Sequence, residues 1–592
     1  MEQVIAFLNT YYLVIARFLF VIYAVIILIQ LKRCMFHRSE TTKVLAVLNV
    51  EDGAIRLPIT HYETTIGRSK ACDVVVPLPV MSRQHAVLSM EENGMWKISD
   101  TNSNGGISVN GEDLEQDSLI SVGDEISMAG VKMRLSPPSR YTDEDSEEKG
   151  WLESRWERFR RKFRRRAQKL GSVNVALGAL SLFQVLAFLQ LYITLPEKYM
   201  PSLVTCFVVL LILPWVYKFS AYLLGIRNIT AEAIAFFLTT IGFCTTASAA
   251  PYSLIKELLA FLLGIVIFCV MCGILRNLNL VMKLRRYAGI ISILVLAVNL
   301  LLGVTKNGQK NWIDLGFVSV QPSEFVKILF VFAGAATLEW LLTTKNLTRL
   351  IVYATGCIGL LFLMGDFGTA LIFFFTFLVL IFMTSGDVRA IILTCVSAGM
   401  GGLLILFFKP YIMNRFAAWG HVWEHVNDSA GFQQTRTLMA SASGGLLGIG
   451  GGNGFLKQVF AADTDLVFGV ICEEWGLLIA LLVVACYILF LLGAIRSRKT
   501  TYSSYHIIAA CTAASIFLFQ ASLNIFGATD VLPITGVTLP FVSNGGSSIA
   551  ASWGLLSFIT AALNYTRPKM KRNAASEWEP SPRTARKRVV RR

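Results

Sequence analysis

The sequence predicts a mainly α, polytopic membrane protein with one small all-β sandwich near its N-terminus. Three observations predict it. The 592 residues are 54% apolar and only 16% charged, whereas soluble domains carry roughly a quarter charged residues. About thirteen apolar runs along the chain are long enough to cross a bilayer as helices. One interval, 44–136, contains no such run and alternates apolar with polar residues instead.

The first run, Val4 to Leu31, has no basic residue before it and no small-residue cleavage site, and Lys32 and Arg33 follow it directly. That pattern fits an uncleaved anchor, 1–33, with its N-terminus outside. The interval 44–136 holds short runs such as AVLNV, DVVV, HAVLSM, WKISD and ISMAGVKMRLS, separated by turn residues. A β-sandwich accounts for that pattern. A charged linker, 137–170, leads to a multi-span body, 171–566, and a basic tail, 567–592. Within the body, spans fall near 173–195, 201–222, 230–248, 255–277, 287–304, 324–343, 347–364, 367–385, 389–408, 465–494, 506–527 and 546–564.

The net charge of +15 is concentrated in RWERFRRKFRRRAQK (155–169) and RTARKRVVRR (583–592). Basic blocks beside spans mark the cytoplasmic side and meet anionic membrane lipids, which is the stronger reading of them than nucleic acid. With the β-domain and linker inside, the loops 305–323, 410–464 and 528–545 lie outside. Lys306, Lys310, Lys409, Arg415, Arg436 and Lys457 then lie outside too. They oppose the usual bias, so they need a purpose. The eleven cysteines are scattered and form no disulfide framework. Cys269 and Cys272 sit mid-span, where they read as small apolar residues rather than metal ligands.

Within the β interval, Gly67-Arg68, Ser82-Arg83-x-His85 and Val109-Asn110-Gly111 stand in order. They resemble the motifs of the forkhead-associated (FHA) domain, a β-sandwich whose loops bind phosphothreonine. The chemistry is sound in itself: an arginine pairs with a phosphate dianion, and hydroxyl and amide groups complete the oxygen shell. The resemblance implies a site of Arg68, Ser82, Arg83 and Asn104, with Arg68 and Ser82 on the phosphate and His85 supporting the loop. Where the family reads Ser-Thr-Asn-Gly, this chain has Ser103-Asn104-Gly105-Gly106. A one-residue shift recovers an amide contact from Asn104; without it the domain is structural. A phosphothreonine-containing partner and a Ser/Thr kinase follow from the working reading.

Ionisable groups within spans are costly and are functional candidates by default. Glu324 and Lys327 open a span at a spacing that puts both on one helix face. Asp366 lies among glycines, and Asp465 falls on the helical face of Glu473, with Glu474 pointing elsewhere.

Five ordered motifs include these residues. They are Asn311-Trp312-Ile313-Asp314-Leu315-Gly316 with Gln321-Pro322-Ser323-Glu324-Phe325-x-Lys327; Asp366-Phe367-Gly368-Thr369-Ala370; Gly431-Phe432-Gln433 with Gly444-Gly445 and Gly448; Thr464-Asp465 with Glu473-Glu474-x-Gly476; and Leu532-Pro533-x-Thr535-Gly536 with Leu539-Pro540-Phe541 and Gly545-Gly546-Ser547-Ser548. Over roughly 280–566 they resemble the SEDS family, which includes RodA and FtsW. The N-terminal spans exceed what that family's ten-span body needs.

The resemblance implies an inverting peptidoglycan glycosyltransferase that polymerises lipid II, undecaprenyl-diphosphate disaccharide pentapeptide, beside a class B penicillin-binding protein transpeptidase. A sugar 4-hydroxyl attacks an anomeric carbon and diphosphate leaves. A positioned carboxylate should take the hydroxyl proton. The family's acid precedes the Gly-aromatic-Gln motif as Asp-Pro-x-Gly-x-Gly. Here the text is Trp423-Glu424-His425-Val426-Asn427-Asp428-Ser429-Ala430-Gly431, without the proline and first glycine. Asp428 is the expected base and Glu424 the second choice. Lys310, Arg415 and Arg436 are expected diphosphate partners, and Gln433, Glu324, Lys327, Asp366 and Asp465 the rest of the substrate site. No resident cofactor is required; basic residues or a divalent cation (Mg or Mn) can neutralise the leaving diphosphate. Two other functions are compatible with the chain: a lipid II flippase, or a phospho-dependent scaffold of the cell-wall machinery.

Overall fold

The computed structural model describes residues 2–36, 44–137, 173–385, 392, 395–396, 419–497 and 501–564, with short breaks inside these ranges. Thirteen helices of sixteen residues or more stand among them. They are α1 (Glu2–Met35), α2 (Val173–Thr194), α3 (Met200–Leu223), α4 (Thr230–Ala249), α5 (Leu254–Leu275), α6 (Leu278–Leu302), α7 (Pro322–Leu338), α8 (Thr344–Leu363), α9 (Phe367–Ser385), α10 (Ser429–Gly444), α11 (Leu477–Ser497), α12 (Ser504–Ala528) and α13 (Gly546–Asn564). Nine described helical segments are long and apolar enough to cross a membrane, and the apolar stretches of α8 and α9 are somewhat shorter. The expected span at 389–408 lies outside the described residues.

Two large apolar cores form, and a small third cluster joins Ala440, Leu456, Ala462 and Val470. One joins buried residues of the membrane helices, from Ala16 and Phe20 of α1 to Phe558 and Ile559 of α13. α4 is buried along its whole apolar window, so it is a central rod rather than a lipid-facing one. Around it Phe236, Phe261, Phe268, Phe541 and Trp553 meet mostly edge to face or tilted, a packing that aromatic quadrupoles favour.

The second core lies in the β interval. Eleven strands make two sheets: β1 (Ala46–Val50), β2 (Ile55–Ile59), β3 (Glu63–Gly67), β4 (Val74–Val75), β5 (Ala86–Met90), β6 (Trp96–Asp100), β7 (Ile107–Val109), β8 (Glu112–Asp113), β9 (Asp117–Ile120), β10 (Glu125–Met128) and β11 (Val131–Ser136). One sheet runs β2-β1-β11-β10-β7-β8 and the other β4-β3-β5-β6-β9. All the pairs are antiparallel except β3 with β4. Alternate residues such as Ala86, Leu88, Trp96 and Ile98 point into the core, as a half-buried strand requires. The run 126–136 divides into β10 and β11, and the turn between them holds Ala129 and Gly130 at φ 47° and 83°.

Two features depart from the expected elements. The interval 305–323 is not a plain loop: β12 (Val304–Lys306), β13 (Gln309–Asp314) and β14 (Ser319–Val320) form a three-stranded sheet against the membrane helices. The expected span 465–494 is broken. A short helix at Val467–Val470 widens into a π-turn at Ile471–Trp475, and the chain bends at Gly476 (φ 87°) before α11. A Cβ at Gly476 would stand 2.5 Å from the Leu446 carbonyl, so only glycine fits the bend.

The helix ends sort into two faces. On one, Arg496 at the end of α11 donates to the Phe36 carbonyl at 3.2 Å. There too His506 near the start of α12 bonds the Leu275 carbonyl at 2.8 Å, and Asn564 at the end of α13 donates to Asn228 before α4 at 2.7 Å. On the opposite face, Trp419 donates to the Val531 carbonyl and Asn544 to the Asp463 carboxylate, at 3.1 and 2.7 Å. The segments 419–464 and 528–545 therefore meet on one face, away from the end of α1 and the start of α2 that flank the β-sandwich.

Candidate functional site

The motif residues converge at the loop-bearing face. α7, α9 and α13 all begin there, so their partly positive N-termini face the same region. Glu324 and Lys327, in the first two turns of α7, form an ion pair at 2.7 Å. Their side chains are 8% and 2% exposed, so the pair is sealed from bulk solvent. Lys327 also donates to Gln520 of α12 at 3.1 Å. Gln520 in turn donates to the Thr538 carbonyl at 2.9 Å, and the Thr538 hydroxyl meets that of Ser548 at 2.7 Å. The first residues of α13 close the circle: the Ser547 hydroxyl accepts from the Gln321 main chain at 3.0 Å. A buried pair in a bundle survives only when its remaining donors and acceptors are met in this way.

Asp366 joins the same network as the cap of α9. Its carboxylate accepts from the Thr369 main chain at 3.1 Å, from Asn311 at 2.9 Å and from Gln321 at 3.1 Å. A carboxylate at a helix N-terminus answers unpaired N–H groups and the dipole together. Three acceptor bonds let Asp366 hold β13, the start of α7 and α9 in register.

Above the network runs α10. Gln433 donates to the Phe460 carbonyl at 3.2 Å, and the Arg436 guanidinium lies 5.0 Å from the centre of the Phe432 ring. Gln434, which sequence reasoning passed over, donates to the Gly527 carbonyl at 2.9 Å and ties α10 to the end of α12. Glu424 is exposed, and the His421 ring stands 3.8 Å from its carboxylate. Lys310 donates to the Leu301 carbonyl at 3.4 Å. The Asp465 carbonyl accepts from Asn524 at 3.0 Å. The structure thus joins Glu324, Lys327 and Asp366 in one network and leaves Glu424 and Arg436 apart from it. Asp428 and Arg415 lie outside the described residues.

Beyond α10 the glycine-rich segment 444–454 is held from two sides. From the π-turn, Glu474 accepts from the Gly452 and Gly454 main chains at 3.0 and 3.1 Å. Glu473 accepts from Phe455 and Leu456 at 2.9 and 3.1 Å. Glu473 and Glu474 therefore serve one loop rather than pointing apart, because a π-turn rotates consecutive side chains less than an α-turn does. From the N-terminal helices, Arg17 of α1 donates to the Ile449 carbonyl at 2.5 Å, and Thr194 of α2 to the Gly451 carbonyl at 3.1 Å. Phe20 of α1 packs edge-on against Trp475 at 4.9 Å. The early spans thus brace the glycine-rich loop.

In the β-sandwich, Arg68, Val80, Ser82, Arg83 and Asn104 line an open cavity of about 320 Å³. The Ser82 hydroxyl accepts from the Asn104 main chain at 2.9 Å. His85 is fully buried and bridges the Ser82 main chain and the Gly106 carbonyl, both at 3.1 Å. It fixes the two loops that carry the cavity. A Cβ at Gly67 would lie 2.5 Å from the Arg83 carbonyl, so glycine is what lets these loops meet.

Among the described residues, no three His, Cys, Asp or Glu side chains gather closely enough to hold a metal ion.

The model of the FtsW, RodA and SpoVE family, described as cell cycle protein, matches residues 235–567. The chain belongs to this family. The match begins earlier than the motif-based limit near 280, because α4 and the start of α5 are apolar and carry no motif of their own. Similar relatives include the probable peptidoglycan glycosyltransferase FtsW of Coxiella burnetii, 32% identical over 267 residues, covering 43% of this chain and 72% of that one. The peptidoglycan glycosyltransferase RodA of Mycobacterium leprae is 27% identical over 332 residues, 53% of this chain and 71% of that one. Stage V sporulation protein E of Bacillus subtilis is 30% identical over 274 residues, 45% of this chain and 73% of that one. A solved structure described as "Structural coordination of polymerization and crosslinking by a peptidoglycan synthase complex" shares the fold, with TM-score 0.50 and 24% identity over 58% of this chain and 99% of that one. Residues 64–129 match the FHA domain model. This FtsW/RodA/SpoVE family member is therefore a multi-pass membrane protein with an FHA domain between its first two helices, and α1, α2 and α3 are additions to the family body.

Proposed function

We propose that the protein is a peptidoglycan glycosyltransferase that polymerises lipid II at the outer face of the cytoplasmic membrane, regulated through a phosphothreonine-binding FHA domain. The observation that carries this reading is the joining of family motifs into one polar network on the face where 419–464 and 528–545 meet. In the reaction, a sugar 4-hydroxyl forms a bond to the anomeric carbon of a second sugar. The bond from that carbon to the diphosphate breaks, undecaprenyl diphosphate leaves with the electron pair, and the hydroxyl proton passes to a base. Inversion follows from a single displacement. Asp428 is our choice of base, from its place just before the Gly431-Phe432-Gln433 motif; Glu424 is exposed and turned toward His421.

The N-termini of α7 and α13 also face that loop and favour the departing diphosphate, whereas the N-terminus of α9 is already answered by Asp366. With Lys327 already bonded to Glu324 and Gln520, its part is to shape the cavity and contribute field. Arg436, Lys310 and Arg415 are candidates for direct contact. A Mg or Mn ion carried on the diphosphate would share the task; unchanged polymerisation in EDTA would remove it from the scheme.

Purified protein given lipid II should yield glycan polymer on a gel, and Asp428→Asn should abolish it with the fold intact. Polymerisation by Asp428→Asn at the parent rate refutes the base. Absence of polymer from the parent chain, with lipid II exchanged between leaflets of a vesicle, would select a flippase instead. The linked transpeptidase, a class B penicillin-binding protein, is proposed from the synthase-complex likeness and family membership. For the FHA domain, a phosphothreonine peptide should bind residues 44–136, and Arg68→Ala should weaken binding by about tenfold or more, as loss of a charge-assisted bond implies. Equal binding of the unphosphorylated peptide would sink the regulatory reading.

A further inference from the structure

A second cavity, of about 610 Å³, opens at the other end of the bundle, far from the polar network. Arg285, Arg286, Ile290 and Ile293 of α6 and Arg349 and Tyr353 of α8 line it. α6 and α8 both begin on this side, so their positive N-termini face the same water layer as the three arginines. Cations are ordinarily placed at helix C-termini, where the dipole favours them. Here three permanently charged guanidiniums stand in the second and third turns of two neighbouring helices, toward their N-terminal ends. Among the described residues, no acidic side chain lines the cavity. Such an arrangement favours an anion strongly.

The lower half is apolar and open to the side. Ile290 and Ile293 are 57% and 39% exposed along α6, one and two turns below Arg286. Tyr353 forms the floor, its hydroxyl on Ser292 at 2.9 Å and its ring stacked on Phe330 at 5.2 Å. A free phosphate would use the arginines and leave the groove empty. A charged rim one turn above a lateral apolar groove fits an anion that carries a hydrocarbon chain.

We propose that this cavity is a binding site for an anionic glycerophospholipid of the leaflet on the FHA side. Its phosphodiester sits among Arg285, Arg286 and Arg349, and its first acyl segment lies along Ile290 and Ile293. The volume falls within the range of small-ligand sites and suits a headgroup with the beginning of one chain. The site goes beyond the polymerase reading and stands on the opposite face from it.

Native mass spectrometry of the purified full chain tests it, with phosphatidylglycerol and phosphatidylcholine as probes. Phosphatidylglycerol should be retained and phosphatidylcholine lost. The R286Q/R349Q double variant should weaken retention by about thirtyfold, as two surface cations at roughly 1 kcal/mol each imply. Ile293→Trp keeps every arginine and fills the groove, so it should weaken retention as well, with an unchanged elution volume as evidence of fold. Equal retention of both lipids, unchanged retention in both variants, or full displacement by excess inorganic phosphate would each overturn the proposal.

Discussion

Lys327 shows how much a single buried charge constrains this protein. Its ammonium meets Glu324 at 2.7 Å and Gln520 at 3.1 Å, with almost no solvent contact. Lys327→Met would strand the Glu324 carboxylate among apolar helices, at about 3–5 kcal/mol of destabilisation. The pair replaced together, as E324L/K327M, should recover most of that loss, since apolar substitutes of similar volume pack without a desolvation penalty. Thermal unfolding of the purified variants reads the difference. If the double variant is as unstable as the single one, the pair is not the source of the effect. Polymerisation by the refolded double variant then separates two roles: retained activity assigns the pair to shaping the cavity, and lost activity assigns it to the diphosphate. Glu424→Gln should leave the rate within about threefold, because an exposed side chain with one distant neighbour has little held geometry to lose. A drop as deep as that of Asp428→Asn would move the base to Glu424.

At the scale of elements, the glycine-rich loop is the hinge between the family body and its additions. It is fixed below by two glutamates of a π-turn and on its flank by α1 and α2. Arg17→Ala removes a charge-assisted bond worth about 1.5–3 kcal/mol. Amide exchange over Ile449–Leu456 should then quicken by tenfold or more, and Arg17→Lys should restore part of the protection. Unchanged exchange would mean that α1 merely lies beside the loop. Most of this architecture was legible: twelve of the thirteen marked runs fall on described helices, and the alternating runs of 44–136 fall on strands. The broken span was not, because Glu473 and Glu474 are the only charged residues in the long apolar run from Leu466 to Ile495, and the π-turn is imposed by loop carbonyls and amides distant in sequence. Gln520 left a readable signal, an amide inside an apolar run, yet its bond to Lys327 could not be read before α7 and α12 were placed together. The capping bonds of Asp366 were not legible either, because a buried cap and a ligand carry the same letter. The bracing role of the early spans had no local signature at all, since it depends on where α1 and α2 dock.

For the whole molecule, the decisive property is sidedness. The polymerase reading requires 410–464 to face the substrate pool outside, and the FHA reading requires 44–136 to face a kinase inside. The helix-end contacts put 419–464 on the face opposite the end of α1, and our proposal sets the FHA side in the cytoplasm, as the positive-inside bias of the basic linker and tail favours. Single cysteines in an otherwise cysteine-free chain can check this in intact cells with a membrane-impermeant maleimide. Asn453→Cys, on the exposed part of the glycine-rich loop, should be labelled. Leu119→Cys, on the 49%-exposed Leu119 of β9, should be labelled only after the membrane is opened. Native Cys72 needs little concern even if retained, because burial, with Asp73 beside it, pushes its thiol up to about 11 and leaves little thiolate at neutral pH. Labelling of Leu119→Cys in sealed cells would invert the molecule. It would place the phosphate-binding loops beyond the reach of any cytoplasmic kinase and move the polar network to the face where lipid II is made rather than polymerised.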